Sequence, residues 1–204
     1  MAELLPIDNV SPIISKLQQG ALMAFPTDTV WGIGCSSEIN ETVLRLYPLK
    51  NRPINQPTAL LISNPTDLEL YCETISKHLH NIVARFWPGA LTIILKVKRI
   101  YWDRPFCSKE GTIGFRIPDY APLRFIIQSL GSPLVASSAN ERGEQPLQSS
   151  DEIMQQFNDK IDAVVTSDVS FSGQKASTVL DASVSPCTIV REGAISRFDL
   201  EQFL

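Results

Sequence analysis

Four short stretches of this 204-residue chain carry side chains suited to holding anions. Phe25-Pro26-Thr27-Asp28-Thr29-Val30-Trp31-Gly32 sets two hydroxyls, a carboxylate and an aromatic ring on a turn between strands. Thr and Asp at turns also bond their own backbone, so a capped loop is the alternative reading. In Lys50-Asn51-Arg52-Pro53 the proline biases Arg52 toward extended backbone. Its two cations can then clamp one polyanion, Arg as a fork and Lys as a point charge. The alternative is a solvated helix end, where cations complement the dipole. In Thr112-Ile113-Gly114-Phe115-Arg116-Ile117-Pro118, strand alternation puts Thr112, Gly114 and Arg116 on one face. That face is a plausible carboxylate or phosphate seat with room for close approach, or else the polar side of an edge strand. Ser137-Ser138-Ala139-Asn140 follows the apolar Leu134-Val135-Ala136, at a strand end where α/β sheets bind ligands; a helix cap or turn is the alternative. Ser177-Thr178-Val179 and Arg191-Glu192-Gly193 add two more polar strand ends.

The elements that must position these residues alternate along the chain. A helix is expected over Pro12 to Gln19, with Ser11 as N-cap and Gly20 as its stop, then a buried strand over Ala21 to Phe25. Leu79, Ile82, Val83 and Phe86 form a helical stripe ending at Pro88-Gly89. Strands are expected over Ala90 to Val97, Thr112 to Ile117, Pro133 to Ser137, Ala163 to Thr166, Ser177 to Leu180 and Thr188 to Arg191. Helices are expected over Leu123 to Leu130 and Asp151 to Phe157. This pattern predicts one α/β domain, a mixed sheet partly covered by helices.

Several function classes fall away. Gly32-Ile33-Gly34 lacks the third glycine of a dinucleotide fingerprint, since position 37 is Ser, and Gly173 to Thr178 is a broken phosphate loop. No G-x-S-x-G elbow is present. Cys35, Cys72, Cys107 and Cys187 are widely spaced and read as free thiols, mostly packed. His78 and His80 read as an exposed helix face, since nothing nearby completes a ligand set. A net charge of −4 argues against broad adhesion to nucleic acid, although a local basic cleft is compatible with it. No apolar run reaches the roughly 18 residues of a membrane span, and the start lacks a signal peptide, so a cytoplasmic location is expected.

Together and in this order the motifs resemble the YrdC/YciO family of threonylcarbamoyl-AMP synthases. The family pattern is matched at Pro26 to Gly34, Lys50 to Pro53, Arg85 to Thr92, Thr112 to Pro118, Ser138 to Asn140, Ser177 to Val179 and Ile189 to Gly193. The resemblance covers about residues 20 to 198. It implies an open, twisted mixed α/β sheet flanked by helices, with a concave cavity. It also implies a reaction of L-threonine, bicarbonate or CO2 and ATP to threonylcarbamoyl-AMP and pyrophosphate. The product would feed N6-threonylcarbamoyladenosine formation at position 37 of tRNA. By resemblance, threonine draws on Thr29, Arg116, the main chain at Ala136, and Ser177. ATP draws on Lys50, Arg52, Gln56, Thr112, Ser138, Asn140 and Arg191, with Lys50 and Arg52 as the catalytic residues. Magnesium would ride on the triphosphate and not in a protein cage.

Trp31 replaces a usual Tyr, Gln56 a common Asn, and Leu61 a common His; Glu141-Arg142-Gly143 and Pro146 also depart from the pattern. Longer members append a second domain, so residues 1–204 are expected to be the short, single-domain form with a core over roughly 10–198. The other reading is an RNA-binding or ribosome-maturation module of the YciO-like branch, without synthase activity. The intact Lys50/Arg52 and Ser138/Asn140 pairs favour the synthase, for which weak or no direct tRNA binding is expected.

The clamp generates a prediction. Arg52→Ala should fold normally, yet lose ~2–4 kcal/mol of ATP-dependent turnover, about thirty- to a thousand-fold, as measured by pyrophosphate release.

Overall fold

The computed structural model describes residues 1–51, 53, 58–141, 144–168 and 174–204. Near the N-terminus, β1 (Glu3–Pro6) precedes α1 (Val10–Gln18), whose Ile13 and Leu17 are buried. This helix begins earlier than expected: Asn9 occupies the N-cap position without a side-chain bond, and Ser11 lies inside the first turn. Pro12 also sits in that turn, where its missing N–H costs nothing. Next come β2 (Met23–Phe25), β3 (Gly32–Ser36), α2 (Asn40–Leu49), β4 (Ala59–Leu61), and the single-turn α3 (Leu68–Tyr71). Ser76 caps α4 (Lys77–Phe86), whose His78 and His80 are exposed. Then follow β5 (Leu91–Lys96), β6 (Thr112–Arg116), α5 (Ala121–Leu130), β7 (Leu134–Ser138) and α6 (Ser150–Phe157). The chain ends in β8 (Ala163–Thr166), β9 (Thr178–Asp181), β10 (Thr188–Arg191) and α7 (Arg197–Glu201).

All ten of these strands join one open mixed sheet, ordered β1-β8-β2-β3-β7-β4-β6-β5-β9-β10. The expected α/β class therefore holds. β6 lies between β4 and β5, so its polar face belongs to an interior strand and not to an edge.

Period-two alternation sends neighbouring residues to opposite faces. Leu60, Ile62, Val135, Ile113, Phe115 and Ile117 enter a large core with Leu46 and Tyr47 of α2, Ile82 and Val83 of α4, and Phe157 of α6. Leu61, Leu134, Met23 and Phe25 belong to a second, smaller core under α1 and α5. That second core covers only part of its face. Where it stops, small residues stand side by side across four strands: Gly34 opposite Ala136, Ala136 opposite Ala59, and Ala59 opposite Gly114. With so little side-chain volume there, room is left above the uncovered part of the face.

The backbone is also close at this point. A Cβ on Gly34 would lie 2.2 Å from the Val135 carbonyl oxygen, so the neighbouring strand can approach only because the residue is glycine. Gly34→Ala should therefore cost about 3 kcal/mol or more, the upper end of overpacking effects, read as a lowered midpoint in urea denaturation.

Candidate functional site

A cavity of ≈ 450 Å³ opens over this floor. Gly114 and Ala59 lie beneath it, Ser138 and Thr112 border it, and Trp31 and Val190 stand in its walls. Arg116 lies at its foot. β6 ends there, and the guanidinium is buried. Its Nη2 meets Asp28 Oδ1 at 2.6 Å, and its Nε donates to the Gly89 carbonyl oxygen at 3.0 Å. Both bonds use one side of the fork; among the described residues Nη1 makes no hydrogen bond. Burial lowers the Arg116 pKa from its usual value, and Asp28 opposes that shift. The side chain stays cationic, because arginine does not deprotonate in proteins.

Each partner of Arg116 has a local cause. Asp28 sits on the turn between β2 and β3, which the Thr27 hydroxyl ties together: it donates to Val30 O at 2.7 Å and accepts from Thr29 N at 3.1 Å. The predicted capped turn is therefore real, and it also serves the cavity. Gly89 follows α4, where Trp87 Nε1 donates to Leu91 O at 2.7 Å and Gly89 N to Ile117 O at 2.8 Å. Those bonds turn the Gly89 carbonyl toward Arg116.

On the opposite wall, Ser177 Oγ lies 2.9 Å from Thr92 Oγ1, and Arg191 Nη2 donates to Ser177 O at 2.8 Å. The Arg191 pKa is lowered, first by burial and then by the charge of Arg116, so the two arginines feel one another. At the rim, the Lys50 ammonium donates to Ser138 O at 2.6 Å, to Asn140 Oδ1 at 3.1 Å, and to the Asn140 carbonyl. Ser138 Oγ donates to Asn140 Oδ1 at 2.5 Å. Asn51, with φ 45°, turns the chain just after this lysine. Motifs about ninety residues apart thus form one cluster.

None of the four free cysteines lines the cavity. Burial pushes Cys35 up to about 12 and Cys72 and Cys107 up to about 11, so all three are protonated at neutral pH. Among the described residues no group of three or more His, Cys, Asp or Glu is arranged to hold a metal ion, and no helix is long and apolar enough to cross a membrane. The arrangement offers fixed cations, hydroxyls and main-chain groups. It suits positioning and charge stabilisation of an anionic reactant.

The Sua5_yciO_yrdC family model, described as telomere recombination, matches residues 15–193. The chain belongs to this family. A threonylcarbamoyl-AMP synthase of Pyrococcus abyssi is 28% identical over 188 residues, covering 92% of this chain and 55% of the relative. The chain thus spans about half the length of that curated relative. The crystal structure of Pyrococcus abyssi Sua5 complexed with L-threonine superimposes with a TM-score of 0.90 at 24% identity, over 100% of this chain and 61% of that one. Escherichia coli YciO matches with a TM-score of 0.88 at 21% identity, over 100% of both chains, which establishes a shared fold.

Of the residues expected from the sequence, Thr112, Arg116, Ala136, Ser138, Ser177 and Arg191 all border the cavity of this family member. Lys50 and Asn140 adjoin it through Ser138. Thr29 is buried beside it, with Oγ1 3.2 Å from Thr27 Oγ1. The Ala136 carbonyl accepts from Thr58 Oγ1 at 2.6 Å. Leu61 and Trp31 are cavity residues, as expected from their places in the pattern. Arg52, Gln56, Arg142 and Gly143 lie outside the described residues. Roles for Asp28, Thr58 and Thr92 were missed. Asp28 and Thr92 stand inside quoted motifs, yet nothing in their spacing says which arginine or serine they meet.

The buried ion pair carries its own test. Asp28→Ala strands the Arg116 charge and should destabilise by about 3–5 kcal/mol in urea unfolding. Asp28→Asn keeps an acceptor for Nη2 and should lose less than half as much.

Proposed function

We propose that this chain is an L-threonylcarbamoyladenylate synthase: L-threonine, bicarbonate or CO2, and ATP yield threonylcarbamoyl-AMP and pyrophosphate. The observation that carries the reading is a single cavity bordered by two kinds of anion seat. At the foot is Arg116, fixed by Asp28 and Gly89 with its Nη1 side unbonded among the described residues. At the rim is the Lys50–Ser138–Asn140 cluster. The similarity to a curated threonylcarbamoyl-AMP synthase supports the same chemistry. So does the threonine complex of Pyrococcus abyssi Sua5.

In this reading the threonine carboxylate sits on the free side of Arg116 as a charge-assisted pair. Thr29, the Ala136 main chain and Ser177 surround the amino acid. The amine loses a proton and joins CO2 to give a carbamate. A carbamate oxygen attacks the α-phosphorus of ATP, the bond to the β-phosphate oxygen breaks, and pyrophosphate leaves. Lys50, Arg52, Gln56, Thr112, Ser138, Asn140 and Arg191 hold the nucleotide, and magnesium travels on the triphosphate. No covalent enzyme intermediate is required, which fits the protonated thiols. The product passes to the tRNA threonylcarbamoyl-transfer machinery, with weak or no direct binding of tRNA here. Free cysteines suit a reducing compartment and so a cytoplasmic protein. The described chain reads as one YrdC-like domain.

Pyrophosphate release should require ATP, threonine and bicarbonate together, and should proceed without RNA. Valine, which lacks the hydroxyl, should be rejected strongly, and serine only about ten- to two-hundred-fold, since one methyl contact is worth ~1–3 kcal/mol. Equal release with all three amino acids would overturn the substrate assignment. Tight tRNA binding indifferent to ATP, without turnover, would favour an RNA-binding module instead.

A further inference from the structure

Ser177, just ahead of β9, and Thr27, in the turn that carries Asp28, both line the cavity from distant parts of the chain. Ser177 is fixed on its own side: its hydroxyl meets Thr92, its carbonyl takes Arg191, and Ala176 O accepts from Ala194 N at 2.9 Å. The contact behind it is tight, because a Cβ on Gly193 would come within 2.1 Å of Ala176 O. Just ahead of this anchored stretch stands Gln174. With its amide nitrogen turned toward the β2–β3 turn, it donates to Thr29 O at 2.7 Å and to Asp28 O at 3.1 Å. One exposed side chain, three residues ahead of Ser177, therefore reaches the main chain of the Asp28 turn. The carboxylate of that turn orients Arg116 at 2.6 Å.

We propose that Gln174 is a positioning residue, a brace beside the cavity that sets the place of the Asp28 turn and, through Asp28, the orientation of Arg116 for a substrate carboxylate. The proposal rests on the synthase reading for its substrate, but the brace itself is a property of the fold. The Asp28 turn is already closed on one side by Thr27, which accepts from Thr29 N and Val30 N. Its carbonyls at positions 28 and 29 face the other way, and Gln174 meets both of them. The glutamine amide carries two N–H donors, one for each of these adjacent carbonyls, and adds no charge. A glutamate of the same length has no N–H to give and would set a charge against two acceptors.

The test compares the wild-type chain with Gln174→Ala, Gln174→Glu and Gln174→Asn. Two readouts are taken: steady-state pyrophosphate release, and amide hydrogen exchange of residues 27–31 without any substrate. Two lost hydrogen bonds correspond to about a ten- to thirty-fold effect. Gln174→Ala should raise KM for threonine about that much, while KM for ATP changes less than twofold and kcat less than threefold. Exchange in residues 27–31 should quicken about tenfold, with the midpoint of global unfolding nearly unchanged. Gln174→Glu should be at least as impaired as Gln174→Ala, and Gln174→Asn should recover part of the threonine KM. Unchanged exchange at residues 27–31 in Gln174→Ala overturns the brace. So does an equal rise in both KM values, or a fall in unfolding midpoint that accounts for the kinetic loss. If the wild-type chain shows no threonine-dependent turnover, the synthase reading fails, and the exchange measurement still decides the brace by itself.

Discussion

A guanidinium buried at the end of an interior strand sets terms for everything around it. Taking a cation out of water costs several kcal/mol unless its N–H groups and charge are met. Arg116 meets that demand from two distant segments. The β2–β3 turn brings the Asp28 carboxylate, and the Trp87-Pro88-Gly89 turn brings a carbonyl. The Thr27 hydroxyl that closes the first turn, and the Trp87 indole that steadies the second, are then explained by the arginine they serve. One side of the fork is spent on structure. The other makes no hydrogen bond among the described residues, and Arg191 nearby raises the local positive charge.

Unequal covering of the sheet supplies the space. Helices α2, α4 and α6 pack against one face, whereas α1 and α5 cover only part of the other. Beyond their reach the in-register residues shrink to Gly34, Ala136, Ala59 and Gly114. An exposed apolar floor of larger residues would invite collapse or association. Glycine and alanine instead leave room for a ligand and little apolar surface to hide. The polar groups gather at the ends of β6, β7 and β9, where strands leave the sheet and side chains with main-chain groups become available together.

Much of the secondary structure was readable because its physical signals are local. The α4 stripe and the runs of β5, β6, β7, β8 and β10 followed hydrophobic period and breaker residues closely. The failures are equally local in origin. Ser11 and Asn9 are comparable capping residues, and Pro12 fits anywhere in a first turn, so neither fixes the start of α1. β3, Gly-Ile-Gly-Cys-Ser, looks like loop composition, yet it is a wholly buried central strand. Gly34 answers to the Val135 backbone next door, a partner about a hundred residues away, and Gly32 to the Phe25 ring. β1 buries only Leu5 and carries too short a pattern to be distinguished from a terminus.

By itself the sequence determined the family, through the order of its motifs, and the face of β6 that carries Thr112, Gly114 and Arg116, because side chains alternate along any strand. It also identified the groups able to hold anions, since their chemistry belongs to the residue types. Only the tertiary structure decided which of them meet. Arg116 pairs with Asp28, Lys50 with Asn140, Ser177 with Thr92, and Gln174 with the Asp28 turn. These partners lie 85 to 146 residues apart along the chain, and such meetings are set by strand order and register, which depend on every pairing in the sheet at once.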